Sequence, residues 1–150
     1  MNVIEYCTEE VTRQGHDVLK LDGIERVSWM LDGWEYALHY CDREVTGADI
    51  VAIGTLVERK KNAMGIRNVG VRVGSRICPK PDEVHRLLDR LLEHQQALHP
   101  LEFYKEFELI HPFIDGNGRT GKILLNWKNG TLLEPIFPPA NFWSEPIWNP

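Results

Sequence analysis

The stretch His111-Pro-Phe-Ile-Asp-Gly-Asn-Gly-Arg-Thr-Gly-Lys122 places a base, a carboxylate, an amide, three glycines and two cations within twelve residues. Glycines at 116 and 118 permit a tight turn with backbone N–H groups pointing inward. A helix starting just after the turn adds the positive end of its dipole, so the natural guest is an anion. Arg119 offers a planar fork for phosphate oxygens, and Lys122, three residues on, shares a helix face with it and brings a second positive charge. A di- or triphosphate would span both. Asp115 is a hard oxygen ligand suited to one position of an octahedral magnesium whose other ligands are phosphate oxygens and water. His111, at the end of the preceding helix, is then free to act as a base.

Other readings of the same residues fit less well. Asp, Asn and Gly dominate turns for conformational reasons alone, but a turn does not require His, Arg and Lys as well. Gly116, Gly118 and Gly121 have the spacing of a dinucleotide-binding fingerprint, which must follow a strand. The residues before them, Leu101, Tyr104, Phe107 and Ile110, step like a helix instead. A calcium loop fails because Arg119 stands where an oxygen ligand is required and no glutamate closes the loop at Asn126.

Working outward, LEFYKEFELI delivers a helix end directly into the loop, and Ile123, Leu124, Leu125 and Trp127 continue as helix until Asn129 and Gly130. Upstream, Pro81 opens the clearest amphipathic helix, with Val84, Leu87, Leu88, Leu91 and Leu92 on its face and Pro100 closing it. Glycines at 65, 70 and 74 with alternating Val69, Val71 and Val73 predict a short hairpin whose strand edge is open. Thr46 and Asp49 form a weak capping box ahead of Ile50, Ile53, Leu56 and Val57, a helix that ends in the polar stretch 58–62. Nearer the start, Ile24, Val27, Leu31, Trp34 and Leu38 line one face of another helix. Prolines at 135, 138, 139, 146 and 150 forbid a regular helix there. Phe137, Phe142, Trp143 and Trp148 predict a tail lying against the body. The pattern is that of a mainly α fold with one small β-hairpin.

Bulk properties bound the function. The 150 residues suit one domain with a single core. A net charge of −5 argues against a direct nucleic-acid binder, so any phosphate must be gripped locally. The N-terminal residues lack a basic region followed by an apolar core, and no apolar run is long enough to cross a bilayer. Cys7, Cys41 and Cys78 form no CxxC pair and suit reduced thiols in a cytoplasmic protein. Cys78 with His85 or His94 matches no zinc spacing.

HPFIDGNGR, His111 to Arg119, resembles the signature loop HxFx(D/E)GNGRxxR of Fic domains over nine contiguous positions. A weaker likeness runs upstream from Asp49 to Pro81, where that family has a helix, a hairpin flap and a proline before its next helix. The resemblance implies a Fic-like helical bundle with a β-hairpin flap, as a single domain over 1–150: an N-terminal helical region over 1–45, a core over 46–133 and a proline-rich tail over 134–150. It also implies a protein adenylyltransferase, in which a Ser, Thr or Tyr hydroxyl of a target protein attacks the α-phosphate of ATP. His111 would be general base and Asp115 would hold Mg²⁺. Asn117 and the backbone at Gly116 and Gly118 would cradle the α-phosphate, and Arg119 would hold the departing phosphates. The flap, Val69, Val71 and Val73, would take an extended target segment as an added strand.

Two departures bear on activity. Lys122 stands where the family has a second arginine, and a lysine is a point charge without a fork. Many Fic proteins are held inactive by a helix bearing (S/T)xxxE(G/N), whose glutamate pairs with that arginine. Ser28-Trp-Met-Leu-Asp32-Gly33 looks similar, with a shorter carboxylate, so the resemblance implies an Asp32–Lys122 pair of reduced strength. The alternatives are a nucleotide-binding regulatory module without transfer, a Fic enzyme using another donor, and removal of AMP from modified proteins. Oligomeric state is open, with an inhibitory partner or a homo-oligomer both compatible with the chain.

Overall fold

The steps of three and four residues read from the sequence are realised as helix. In a computed structural model of the chain, which describes residues 1–144, α1 spans Val3–Arg13, α2 Leu21–Tyr40, α3 Gly47–Val57, α4 Pro81–Glu93, α5 Pro100–Ile110 and α6 Asn117–Asn129. Two-residue strands β1, Arg72–Val73, and β2, Arg76–Ile77, form an antiparallel hairpin between α3 and α4. The mainly α class with a small hairpin is as the sequence predicts. No helix of the described residues is long and apolar enough to cross a membrane.

Local chemistry fixes most boundaries. The capping box at α3 forms: the Asp49 N–H donates to the Thr46 side chain at 3.2 Å and the Thr46 N–H to Asp49 Oδ2 at 2.8 Å. Asp49 is also buried, and it accepts from Tyr36 and Arg43, which holds its carboxyl well below the usual carboxylate range. Pro100 does not merely close α4, as the sequence suggested. α4 ends at Glu93, a short 3-10 turn follows over Gln95–Ala97, and Pro100 starts α5, where its missing N–H costs nothing. α6 begins inside the glycine loop, at Asn117, and stops at Gly130 in the left-handed region.

α2 packs along α3 and α1, and α5 along α6 and α4, with α6 also meeting α2. α6 is therefore central, and from Arg119 to Trp127 every residue is buried. The core gathers Tyr6, Met30, Trp34, Ile53, Phe103, Phe107, Phe113 and Leu124 about it. At α2 the sequence found the helix and part of its inward face: Val27, Leu31 and Trp34 pack on the core, but Ile24 and Leu38 are exposed, and Arg26, Met30, Gly33 and Ala37 are buried in addition. A buried arginine is invisible to a search for apolar residues.

That arginine belongs to the main polar junction of the interior. Glu58, read from sequence as part of a polar helix end, is fully buried and accepts from Arg26 Nε at 3.0 Å and from Arg119 at 3.4 Å. One carboxylate thus joins α2, the end of α3 and α6. The tail packs as predicted over its described part. Phe137 stacks on Tyr6 at 3.9 Å, Ile136 is held by Asn126 and the Tyr6 hydroxyl, and Phe142 and Trp143 lie against Tyr104. Trp148, Pro146 and Pro150 lie outside the described residues.

Glu58→Gln removes the one fully buried counter-charge that Arg26 and Arg119 share and leaves them only the part-exposed carboxylates of Asp22 and Asp115, so the loss of stability in urea denaturation is expected to be about 3 kcal/mol. Asp32→Asn breaks only the surface pair with Arg59 and is expected to stay within about 0.5 kcal/mol of wild type. Equal effects from the two would show that the junction carries no special weight.

Candidate active site

Helix α5 ends by presenting His111. The residue has φ 52, the only non-glycine in the left-handed region among the described residues, at a C-cap where glycine would sit without strain. Two bonds hold it there: its N–H donates to the Phe107 carbonyl at 3.1 Å, and Arg67 Nε donates to its carbonyl at 2.7 Å. A bulky residue kept in a strained conformation is a pointer to function. The imidazole lies near the Glu108 backbone, whose influence favours the charged ring. Burial first, then the fields of Arg76 and Arg67, push its pKa down to about 4.

The loop then turns at Gly116, φ +74, where any side chain would be strained and would press on Val57 and Glu58. Asn117 closes the loop rather than opening it to a ligand. Its Oδ1 accepts from the Phe113 N–H and its Nδ2 donates to the Phe113 carbonyl, both at 2.9 Å, with the residue buried. The cradle expected of Asn117 thus falls to backbone N–H groups alone. Phe113 in turn seats its ring on Gly54 of α3, where an added Cβ would come within 2.1 Å of it.

Arg119 is not at the surface the sequence reading gave it. Its side chain is 2% exposed and is engaged by Glu58, the Val57 carbonyl and, at 3.6 Å, Asp115. The side chain runs to the end of α3, where it meets the Val57 carbonyl and Glu58, and it does not line the cleft. Lys122 does line the cleft, but its partner is not Asp32. Lys122 Nζ lies 3.2 Å from Glu10 Oε2 of α1 and 5.2 Å from the Tyr104 ring centre. Asp32 faces Arg59 at the end of α3. Ser28 is exposed, and Gly33 is a packing position against Val57 and Ile123. The inhibitory pairing expected of Ser28, Asp32 and Gly33 is therefore corrected: the carboxylate at Lys122 comes from the first helix, which sequence periodicity did not single out.

Asp115 Oδ1 accepts from the Gly116 N–H at 2.8 Å and Oδ2 from Lys61 Nζ at 3.0 Å, contacts that lower its pKa against the opposing effect of burial. No cluster of three His, Cys, Asp or Glu side chains that could hold a metal exists among the described residues. A lone, partly exposed carboxylate suits a magnesium ion that brings phosphate and water for its other ligands, and Lys61, itself half-exposed, can leave for water when one arrives.

The cleft at His111 has a volume of about 500 Å³, within the range of small-molecule sites. Val73, Gly74, Ser75 and Arg76 of the hairpin line it together with Tyr104, Glu108, Gly118 and Lys122. The hairpin is shorter than predicted: Val73 is in β1, Val71 only accepts from the Cys78 N–H at 3.2 Å, and Val69 precedes it. Arg67 sets its base. Buried, it donates to the carbonyls of Val69, Pro79, Ile110 and His111, tying both ends of the hairpin segment to the end of α5. Sequence reasoning missed Arg67, Glu10 and Glu108, because each is a charged residue that works buried.

A sequence model of the Fic/DOC family matches residues 45–128. The protein adenylyltransferases Fic of Drosophila persimilis and Drosophila pseudoobscura pseudoobscura are each 30% identical over 126 aligned residues, covering 72% of this chain and 24% of the relative. The chain thus spans about a quarter of the length of these curated relatives. A Fic family protein from Desulfovibrio desulfuricans G20 superposes with a TM-score of 0.61 at 30% identity, over 84% of this chain and 44% of that one. Fic-1 of C. elegans, at 21% identity, shares the fold with a TM-score of 0.60, over 90% of this chain and 46% of that one. With residues 45–128 matched by the family's sequence model and the fold shared with a family protein at 30% identity, the chain belongs to the Fic/DOC family.

Proposed function

We propose that this chain is an enzyme, a protein adenylyltransferase that moves AMP from ATP to a Ser, Thr or Tyr hydroxyl of a protein substrate. The observation that carries the reading is His111: strained in place at the end of α5, kept neutral by burial, and facing a cleft that adjoins the start of a central helix. The Drosophila relatives, which are protein adenylyltransferases, support it. Three free cysteines suit the reducing cytoplasm, where we place its action.

In this scheme the neutral imidazole of His111 takes the proton of the target hydroxyl. The hydroxyl oxygen bonds to the α-phosphorus, the bond from that phosphorus to the bridging oxygen breaks, and pyrophosphate leaves. The N–H groups of the first turn of α6 face the oxygens on which charge develops. Asp115 is the residue that would hold Mg²⁺, whose chemistry when bound is to neutralise phosphate charge. Val73 and the edge of the hairpin would position the target segment.

The Glu10–Lys122 pair favours a second reading, of a low-activity form. A triphosphate reaching Lys122 must displace a carboxylate that is itself buried and has one oxygen without a partner. Restraint of transfer, which the resemblance assigned to Asp32, is here assigned to Glu10.

With Mg²⁺ and α-labelled ATP, wild type is expected to label protein and His111→Ala to lose at least about 100-fold in rate; equal labelling by the two would remove His111 from the chemistry. The same assay separates the two carboxylates. Glu10→Gly should raise labelling and Asp32→Gly should leave it unchanged, and the reverse would restore the pairing first read from sequence. The pH profile carries a further test. A base works when neutral, so a pKa of about 4 predicts that kcat/KM falls only as pH drops towards 4 and is level through neutrality. Bound phosphate raises the imidazole pKa, so the acid limb of kcat should lie above that of kcat/KM. An acid limb of kcat/KM centred near 6.5, the ordinary value for histidine, would contradict the shielding described.

A further inference from the structure

Besides Arg67, which is buried on four backbone carbonyls, three cations of this chain bear on the cleft or border it, and two already have carboxylate partners. Arg119 lies beneath the loop on Glu58, and Lys122 is held by Glu10. The third, Arg76, is different. Its Nη1 donates to the Leu109 carbonyl at 3.1 Å and its Nη2, at a marginal 3.4 Å, to the Glu108 carbonyl, and no carboxylate among the described residues lies within ion-pair distance of it. Both partners are neutral, so the guanidinium keeps its full charge.

The hairpin aims that charge. Gly74 and Ser75 make the turn, with Gly74 at φ +58, and the register sets Val73 opposite Arg76. Residues directly opposite in an antiparallel pair share a face, and this pair faces the cleft together with His111, whereas Arg72 and Ile77 share the other face and do not line it. After burial, the field of Arg76 is the largest influence holding the His111 imidazole neutral, which places the cation close to the base. The cleft's own carboxyl, Glu108, is pushed up to about 7 by burial and has one oxygen with no hydrogen-bond partner, so near neutral pH it only partly offsets Arg76. A cation beside a base, facing a cleft and ion-paired to no carboxylate among the described residues, is a site for an anion.

We infer that Arg76 is a phosphate-binding residue, contacting from the flap the phosphate nearest His111 and supplying there the forked charge that the sequence had assigned to Arg119. The inference rests on the transfer reaction proposed above for the identity of that phosphate, but not for the anion site itself. A guanidinium has five N–H donors, so it can keep its bond to Leu109 and still present hydrogens to phosphate oxygens. The flap is thereby drawn onto a bound nucleotide by the charge that the nucleotide brings. Nothing in the signature loop encodes this, since Arg76 lies thirty-five residues before His111.

The test is calorimetric titration of the full chain with inorganic tripolyphosphate, and separately with ATP and Mg²⁺, for wild type, Arg76→Gln and Arg76→Lys. A hydrogen bond to a charged group sets the scale, so Arg76→Gln should weaken tripolyphosphate and ATP by about 10- to 100-fold. Arg76→Lys, which keeps the charge but loses the fork, should recover a large part of that loss. Tripolyphosphate affinity unchanged in Arg76→Gln overturns the inference, as does its absence in wild type. Equal losses in both variants also overturn it, because they mean that Arg76 serves only to pin the flap to α5. Arg76-dependent tripolyphosphate binding by a protein that transfers no AMP would sink the adenylyltransferase reading and leave the anion site standing.

Discussion

The carboxylate of Glu58 is the contact on which the rest of the site depends. It is fully buried at the end of α3, between Arg26 of α2 and Arg119 of α6. An interior of this kind tolerates a charge only when it is paired and hydrogen-bonded. Three helices must therefore arrive together for any of the three side chains to be buried at tolerable cost. Because Arg119 is three residues into α6, the same junction fixes where that helix starts, and so where the glycine loop ends and which N–H groups face outward. Gly54 completes the arrangement by letting Phe113 of the loop seat on α3 next to Val57 and Glu58.

How much of this could be read from the sequence follows from how each feature is encoded. The loop was legible because its residues are contiguous and chemically improbable as a mere turn. α3 was legible because Thr46 and Asp49 sit at the spacing of a cap, and α4 and α5 because their apolar residues keep a clean helical step. What sequence reading lost was buried charge. Glu58 and Arg26 look like surface residues in any hydrophobicity pattern, so α2 was found with only part of its inward face, Val27, Leu31 and Trp34, and Glu58 was placed in a polar tail. Glu10 was lost for the same reason, and with it the role of α1. Of the residues read as the site, His111, Gly118 and Lys122 line one cleft. Asn117 and Arg119 belong to the motif by spacing, yet their side chains point to Phe113 and Glu58 rather than to the cleft.

The motif's charges can be ranked by what a ligand must displace to reach them. Asp115 is held by Lys61, a long surface side chain more than half exposed, which returns to water with little loss. A cation can therefore take Asp115 easily. Lys122 is held by Glu10, 1% exposed, and freeing it strands a carboxylate in the interior unless α1 shifts or the carboxyl takes a proton. Arg119 is held by Glu58, whose removal would undo the junction of three helices, so it is not available to any ligand. Ligand binding at this site is thus an exchange of partners, easy at one end of the loop and costly at the other. Arg76 alone requires no exchange, because only neutral carbonyls hold it. An anion entering the cleft should meet the flap before it meets the helix, and the order in which the protein's charges give way then runs from the most exposed pair to the most buried.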